Sequence, residues 1–158
     1  MINGTLSAYP LSIIMADDDS DDRELFSEVV KEIDFKVQLD FAEDGEHLMQ
    51  KLYSENMVPD LVFLDLNMPN KSGRECLDLI RNNQKLRDVK VIIFSTSNSP
   101  VDIKETYDKG ANLYVPKPGN FYELVEMTKK VLTDWEAYEP YCLKSKYVFT
   151  FGTNEVYL

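Results

Sequence analysis

The sequence predicts an α/β fold, a doubly wound five-stranded parallel sheet with helices on both faces. Two observations carry that reading: short apolar runs alternate with longer amphipathic stretches, and the runs mostly lack polar residues at every second place. A strand packed on both faces has no solvent side, so it reads as a continuous apolar run. At 158 residues the chain has room for one domain with a buried core.

The first predicted strand runs from Leu11 to Ala16, and after it Leu25, Phe26, Val29, Val30 and Ile33 recur at helical spacing. Val37 to Phe41 is the second, followed by a helical stripe with Leu48 and Leu52. Leu61 to Leu64 is the third, and Cys76, Leu77 and Ile80 mark its helix. The fourth, Lys90 to Phe94, precedes Pro100 to Lys109, whose apolar points are only Val101, Ile103 and Tyr107; this helix is expected to be the most mobile. Asn112 to Val115 is the fifth strand. The last helix then sets Phe121, Leu124, Val125, Thr128, Val131, Leu132 and Trp135 on one face, with Glu123, Glu126, Lys129 and Lys130 on the other. Ser20 or Asp21 is expected to cap the first helix, Ser72 the third, and Ser99 with Pro100 the fourth, which Gly110 ends.

This series closes near Glu139 and Pro140, dividing the chain into an N-terminal segment (1–11), a main domain (12–138) and a C-terminal extension (139–158). The stretch KYVFTF, residues 146–151, has high strand propensity and is expected to form an extra edge strand or a loosely packed extension, with self-association into a homodimer as the alternative role.

Composition narrows the function. With 44% hydrophobic and 28% charged residues the chain has the make-up of a globular protein. A net charge of −11, from 28 acidic against 17 basic residues, repels nucleic-acid phosphates and anionic lipid, so no nucleic-acid or membrane partner is expected. The start lacks a basic segment followed by an apolar run, and no stretch reaches the roughly 20 apolar residues of a membrane span, which points to the cytoplasm. Cys76 and Cys142 do not indicate a disulfide framework, and Cys76 falls where a buried free thiol is expected.

In an open parallel sheet, ligands bind beyond the carboxyl ends of the strands. Here those ends are polar: the first run ends in Asp17-Asp18-Asp19, the third in Asp65, the fourth in Ser95-Thr96, and Lys117 follows the fifth. Any one of these groups alone reads as a helix cap, a turn or a solvated loop. Together, on four successive strand ends, they place carboxylates, a hydroxyl and an ammonium group on one rim. Crowded carboxylates repel unless a cation sits among them, and oxygen ligands select a hard ion such as Mg2+. In a strand order of 2-1-3-4-5, Asp65 ends the middle strand, flanked by the strand bearing Asp18 and the strand bearing Ser95. A carboxylate so placed can attack an activated phosphorus while a metal and a lysine neutralise the transferred oxygens.

These residues resemble the receiver domain of two-component signalling over roughly Ser12 to Tyr138. IIMADDDSDDRELF is similar to that family's first strand and acidic pair, VFLDLNMPNKSG to its phosphoacceptor strand and loop, VIIFSTS to its hydroxyl strand and LYVPKP to its lysine strand. The resemblance implies a flavodoxin-like (βα)5 fold and a response regulator that signals by phosphorylation. In it Asp65 accepts the phosphoryl group, Asp18 binds Mg2+ directly, Asp17 acts through water and Asn67 contributes its backbone carbonyl. It further implies that Lys117 pairs with a phosphoryl oxygen and is followed by a cis peptide to Pro118. Ser95 would sense the phosphoryl group, with Tyr114 turning inward as Ser95 moves.

The implied partners are a histidine kinase or histidine phosphotransfer protein as donor and an unidentified downstream protein, in a two-component or phosphorelay system. The start DDSDDRELF is similar to that of single-domain regulators paired with phytochrome-type kinases. Ala16 and Thr96 depart from the family pattern, and the bulk of Thr96 is expected to narrow access to Asp65. His47 is expected to be an exposed surface imidazole, away from the rim. A haloacid-dehalogenase-like phosphatase would need an acid two residues after the nucleophile, where this chain has Asn67. A receiver fold kept only as a docking surface would not need the intact polar set. A nucleotide-binding flavodoxin-like protein would carry a glycine-rich loop after the first strand, and none is present. The chain is therefore expected to be a switch rather than a metabolic enzyme.

Overall fold

The structure, a computed structural model, describes residues 9–54 and 56–151. Residues 1–8 of the N-terminal segment and 152–158 of the extension lie outside the described residues. Strands and helices alternate in chain order: β1 (Leu11–Ala16), α1 (Ser20–Glu32), β2 (Val37–Ala42), α2 (Gly45–Ser54), β3 (Leu61–Leu64), α3 (Gly73–Asn82), β4 (Lys90–Ser95), α4 (Pro100–Asp108), β5 (Leu113–Pro116) and α5 (Phe121–Asp134). The five strands form one parallel sheet in the order β2-β1-β3-β4-β5. β3 lies at its centre with every residue buried, which explains why its run carries no polar position.

The two sheet faces carry separate apolar layers. Phe26 and Val29 of α1 pack with Leu124, Met127, Val131 and Leu132 of α5 on one face. There Phe26, Phe63 and Phe94 form a ring cluster, with centroids 4.9 Å apart for Phe26 and Phe63 and 6.1 Å for Phe63 and Phe94. On the other face, Leu48 and Leu52 of α2, Cys76, Leu77 and Ile80 of α3 and Ile103 of α4 cover the sheet. Arg81 closes that layer at the amino end of the sheet, donating to the carbonyls of Gly110 and Val89 and to the Asn112 side chain.

Local chemistry sets several boundaries differently from expectation. The cap of α1 is Asp19, not Ser20 or Asp21: its carboxylate accepts from the backbone N–H of Asp21 and of Asp22, and Ser20 already lies in the helix. Asn112 precedes β5 rather than opening it, and its side-chain oxygen accepts from Val91 N–H and Arg81. Phe121 is 41% exposed at the start of α5, and Met127 takes a buried place on that helix. Ser72 forms a full capping box with Glu75, and Ser99 with Pro100 opens α4 as expected. Gly110 follows α4 with φ of 87°, a conformation that favours glycine.

Only Ile103 and Thr106 of α4 are buried, in keeping with its weak pattern, and the C-terminal extension supplies further packing there. After α5 the chain passes through two short 3-10 turns, Trp135–Ala137 and Lys144–Lys146. Tyr147 and Val148 then enter the apolar layer beside α4. Val148 forms a parallel bridge with Tyr114, so KYVFTF does lie along the sheet edge at β5, but over one bridge rather than a full strand.

Candidate functional site

Backbone pairing continues past the strands and fixes the rim. Asp17 N–H donates to Ala42 O, Asp65 N–H to Ala16 O and Lys117 N–H to Ser95 O. Asp65 is therefore held between the ends of β1 and β4. Gly73 lets α3 approach from below: a Cβ there would stand 2.1 Å from the Asp65 carbonyl oxygen. Leu66 O accepts the Gly73 N–H in the same turn.

Asp17, Asp18 and Asp65 each offer a carboxylate oxygen, and the three oxygens lie within 4.8 Å of one another. Asp17 and Asp65 are buried and Asp18 is exposed. At that separation each ionised pair repels by about 3 kcal/mol at an effective dielectric constant near 20. Burial, opposed by Lys117 and reinforced by Asp17, pushes the Asp65 carboxyl up to about 6, even with backbone N–H groups of Leu66 and Asn67 bonded to it. Burial likewise raises Asp17, against the hydrogen bond from Lys117. A site that charges reluctantly by itself, built of three oxygen donors and open to solvent at Asp18, fits a hard divalent cation. Asn67 is exposed beside it.

Lys117 supplies the cation of the rim. Its Nζ donates to Asp17 at 2.7 Å and to Asp22 at 2.8 Å, and lies 5.5 Å from the centre of the Phe94 ring. Burial works against the ammonium, but the bonds to Asp17 and Asp22 outweigh it and hold its pKa above the ordinary lysine value. The expected cis peptide before Pro118 is not found, since no peptide bond among the described residues is cis. The Lys117–Pro118 peptide is trans, the isomer favoured by about 0.5–1 kcal/mol before proline.

Ser95 is fully buried, and its hydroxyl accepts the Ser97 N–H at 3.2 Å. Tyr114 is fully buried as well, with its hydroxyl donating to Ser97 O at 2.8 Å. Thr96, next to Ser95, is exposed. His47 is half-buried rather than exposed: its Nδ1 accepts from Glu43 N–H, and its own N–H donates to the Asp44 carboxylate at the start of α2.

The structure thus gathers Asp17, Asp18, Asp65 and Lys117 at one point, with Ser95 and Tyr114 on the adjoining strands. Three contributors escaped the sequence reading. Asp22 stands one helical turn after Asp18, a spacing that could have revealed its place beside Lys117. Arg74 bonds Asp102 and Glu105, and Asp102 in turn accepts from the Ser97 hydroxyl, tying α3, α4 and the β4 end together. Tyr147 lies in KYVFTF, whose strand propensity marked the stretch but not the burial of this side chain beside α4.

Residues 13–129 match the family model described as response regulator receiver domain. The response regulator Rcp1 of Synechocystis sp. is 31% identical over 131 residues, covering 80% of this chain and 89% of that protein. A Mn2+-bound crystal structure of Rcp1 superposes with a TM-score of 0.73 at 30% identity, over 80% of this chain and 94% of that one. The phosphorylated cyanobacterial phytochrome response regulator RcpA gives 0.75 at 30% identity, over 82% and 96%. Sheet order, acidic cluster and family match agree, and the chain belongs to the response regulator receiver family, whose members are phosphorylation-controlled signalling switches.

Proposed function

We propose that Asp65 is the phosphoacceptor of this switch. A carboxylate oxygen of Asp65 attacks the phosphorus of a phosphohistidine on the donor protein. An O–P bond forms, the P–N bond breaks, and the freed imidazole nitrogen keeps its electron pair and takes a proton from water. Asp17, Asp18, Asp65 and the backbone carbonyl of Asn67 would hold Mg2+, which neutralises charge on the phosphoryl oxygens when bound. Lys117 is already at the site and exchanges its partner Asp22 for a phosphoryl oxygen. Ser95 donates its hydroxyl to the phosphoryl group, and Tyr114 adjusts beside it. The single observation that carries this reading is the buried Asp65 carboxyl, at the centre of the sheet, within 4.8 Å of two further acids.

Donor and target follow from the same chemistry. A histidine kinase or histidine phosphotransfer protein supplies the phosphoryl group, and the likeness to RcpA favours a phytochrome-type kinase. Output passes through contact with a downstream protein, since a net charge of −11 disfavours nucleic acid. We place the switch in the cytoplasm, where such kinases present their phosphohistidine; no helix among the described residues is long and apolar enough to cross a membrane. The receiver unit is assigned to residues 12–138, with 139–158 as its extension.

Incubation with acetyl phosphate and Mg2+, followed by intact-mass measurement, tests the assignment. The wild type is expected to gain one phosphoryl group and Asp65→Asn none. Equal labelling of both would remove Asp65 from the role.

A further inference from the structure

The extension is built into the switch face. Tyr147 is 0% exposed, inserted between α4 and β5, and its hydroxyl donates to Thr106 Oγ1 at 2.8 Å. Its ring meets Tyr107 at 5.2 Å and Tyr114 at 6.3 Å between centroids. On either side of this side chain the backbone clasps Tyr114: Tyr114 N–H donates to Tyr147 O, and Phe149 N–H donates to Tyr114 O, both at 2.8 Å. Upstream, the Tyr107 hydroxyl donates to Cys142 O at 2.7 Å, and Lys90 Nζ donates to Tyr138 O at 2.6 Å. The segment is therefore anchored from its first residues to the Tyr114 contact.

Tyr114 in turn is enclosed. Its hydroxyl bonds the carbonyl of Ser97, on the loop whose N–H is bonded to Ser95. A continuous path runs from the extension through Tyr114 and Ser97 to the hydroxyl of Ser95, at the end of the strand paired with that of Asp65. Two groups share this path, so whatever favours the inward Tyr114 at one end favours it at the other.

We infer that Tyr147 is a positioning residue of the phosphoryl switch: by filling the space between α4 and β5 it holds Tyr114 inward, so docking of the extension and occupancy of the phosphoryl site reinforce each other. This rests on the proposed roles of Asp65 and Ser95. It gives the extension a function within its own chain, as a strap whose attachment sets how readily the site accepts a phosphoryl group. Linkage makes the effect reciprocal: a phosphoryl mimic at Asp65 tightens the strap, and a loosened strap weakens the mimic.

The test is the affinity for beryllofluoride with Mg2+, measured by calorimetry on the full chain. Tyr147→Ala is expected to weaken binding about tenfold, and Tyr147→Phe, which removes only the hydroxyl contact, less but in the same direction. The same direction is expected of Thr106→Val, which removes that contact together with the Thr106 hydroxyl bonds to the Asp102 and Ile103 carbonyls. In a Tyr114→Ala background the Tyr147→Ala effect is expected to vanish, because the path is already cut. In the wild type, beryllofluoride should slow hydrogen exchange of the Phe149 amide.

Unchanged affinity in folded Tyr147→Ala, or an undiminished effect in the Tyr114→Ala background, overturns the inference. If Tyr147→Ala does not fold, equal affinities for wild type, Tyr147→Phe and Thr106→Val overturn it instead. A loss that depends on protein concentration would assign Tyr147 to a second copy and also overturn it. Failure of the wild type to bind beryllofluoride, or binding by Asp65→Asn as well, would instead strike the phosphoacceptor reading beneath it.

Discussion

Replacing Asp65 by asparagine in metal-free protein is expected to stabilise the fold. At neutral pH the Asp65 carboxylate is ionised, 8% exposed and within 4.8 Å of two acid oxygens. Its lift from an ordinary 3.8 to about 6 corresponds to about 3 kcal/mol of native-state cost at pH 7. Asparagine keeps the shape and removes the charge, but it has a desolvation cost of its own and gives up attraction to Lys117. A net gain of about 1–3 kcal/mol follows. With a urea dependence of about 1–3 kcal/mol per molar, the unfolding midpoint should rise by roughly 1 M.

The pH dependence fixes the sign independently. A carboxyl whose native pKa is raised helps the fold below its unfolded value and loses that contribution as pH climbs through about 6. The difference between Asp65→Asn and wild type should accordingly be full at pH 7 and shrink toward pH 4. Urea unfolding in EDTA at several pH values measures it, and added Mg2+ should stabilise the wild type but barely affect the variant. A wild type as stable as the variant in EDTA at pH 7, or a gap that widens on acidification, would refute the charge-crowding account.

The same balance predicts the opposite result for Lys117→Ala, which strands the buried Asp17 without its cation: a loss of about 3 kcal/mol in EDTA, partly restored by Mg2+, is expected from the same urea titrations. Gly73→Ala would force a methyl group against the Asp65 carbonyl at 2.1 Å, so a loss of about 1–3 kcal/mol together with slowed labelling by acetyl phosphate should appear in denaturation and intact-mass measurements.

The parallel sheet was legible because β1, β3 and β4 are apolar runs whose character is set by burial on both faces, a property written in each segment alone. The rim was legible for a related reason. In this topology a residue's place at a strand end fixes its place in space, so Asp17, Asp65, Ser95 and Lys117 could be gathered without coordinates. What escaped depends on side-chain reach or on distant contacts. Asp22 lies at the rim only because Lys117 extends toward α1, and Asp19 rather than Ser20 caps that helix because of where the chain leaves β1. Tyr147 is buried by α4 and β5, far away in sequence, and the same contact accounts for the thin apolar stripe of α4: part of its packing partner comes from the extension.

The central claim is that a phosphoryl group becomes bonded to the carboxylate at the end of β3. Reduction of the labelled protein with borohydride, which cleaves an acyl phosphate to an alcohol, followed by peptide sequencing by mass spectrometry, locates that bond. Homoserine at position 65, formed with Mg2+ and absent with EDTA, is the expected result. Reduction at Asp17 or Asp18 instead, or an unmodified residue 65 in protein that carries the phosphoryl group, would contradict the assignment.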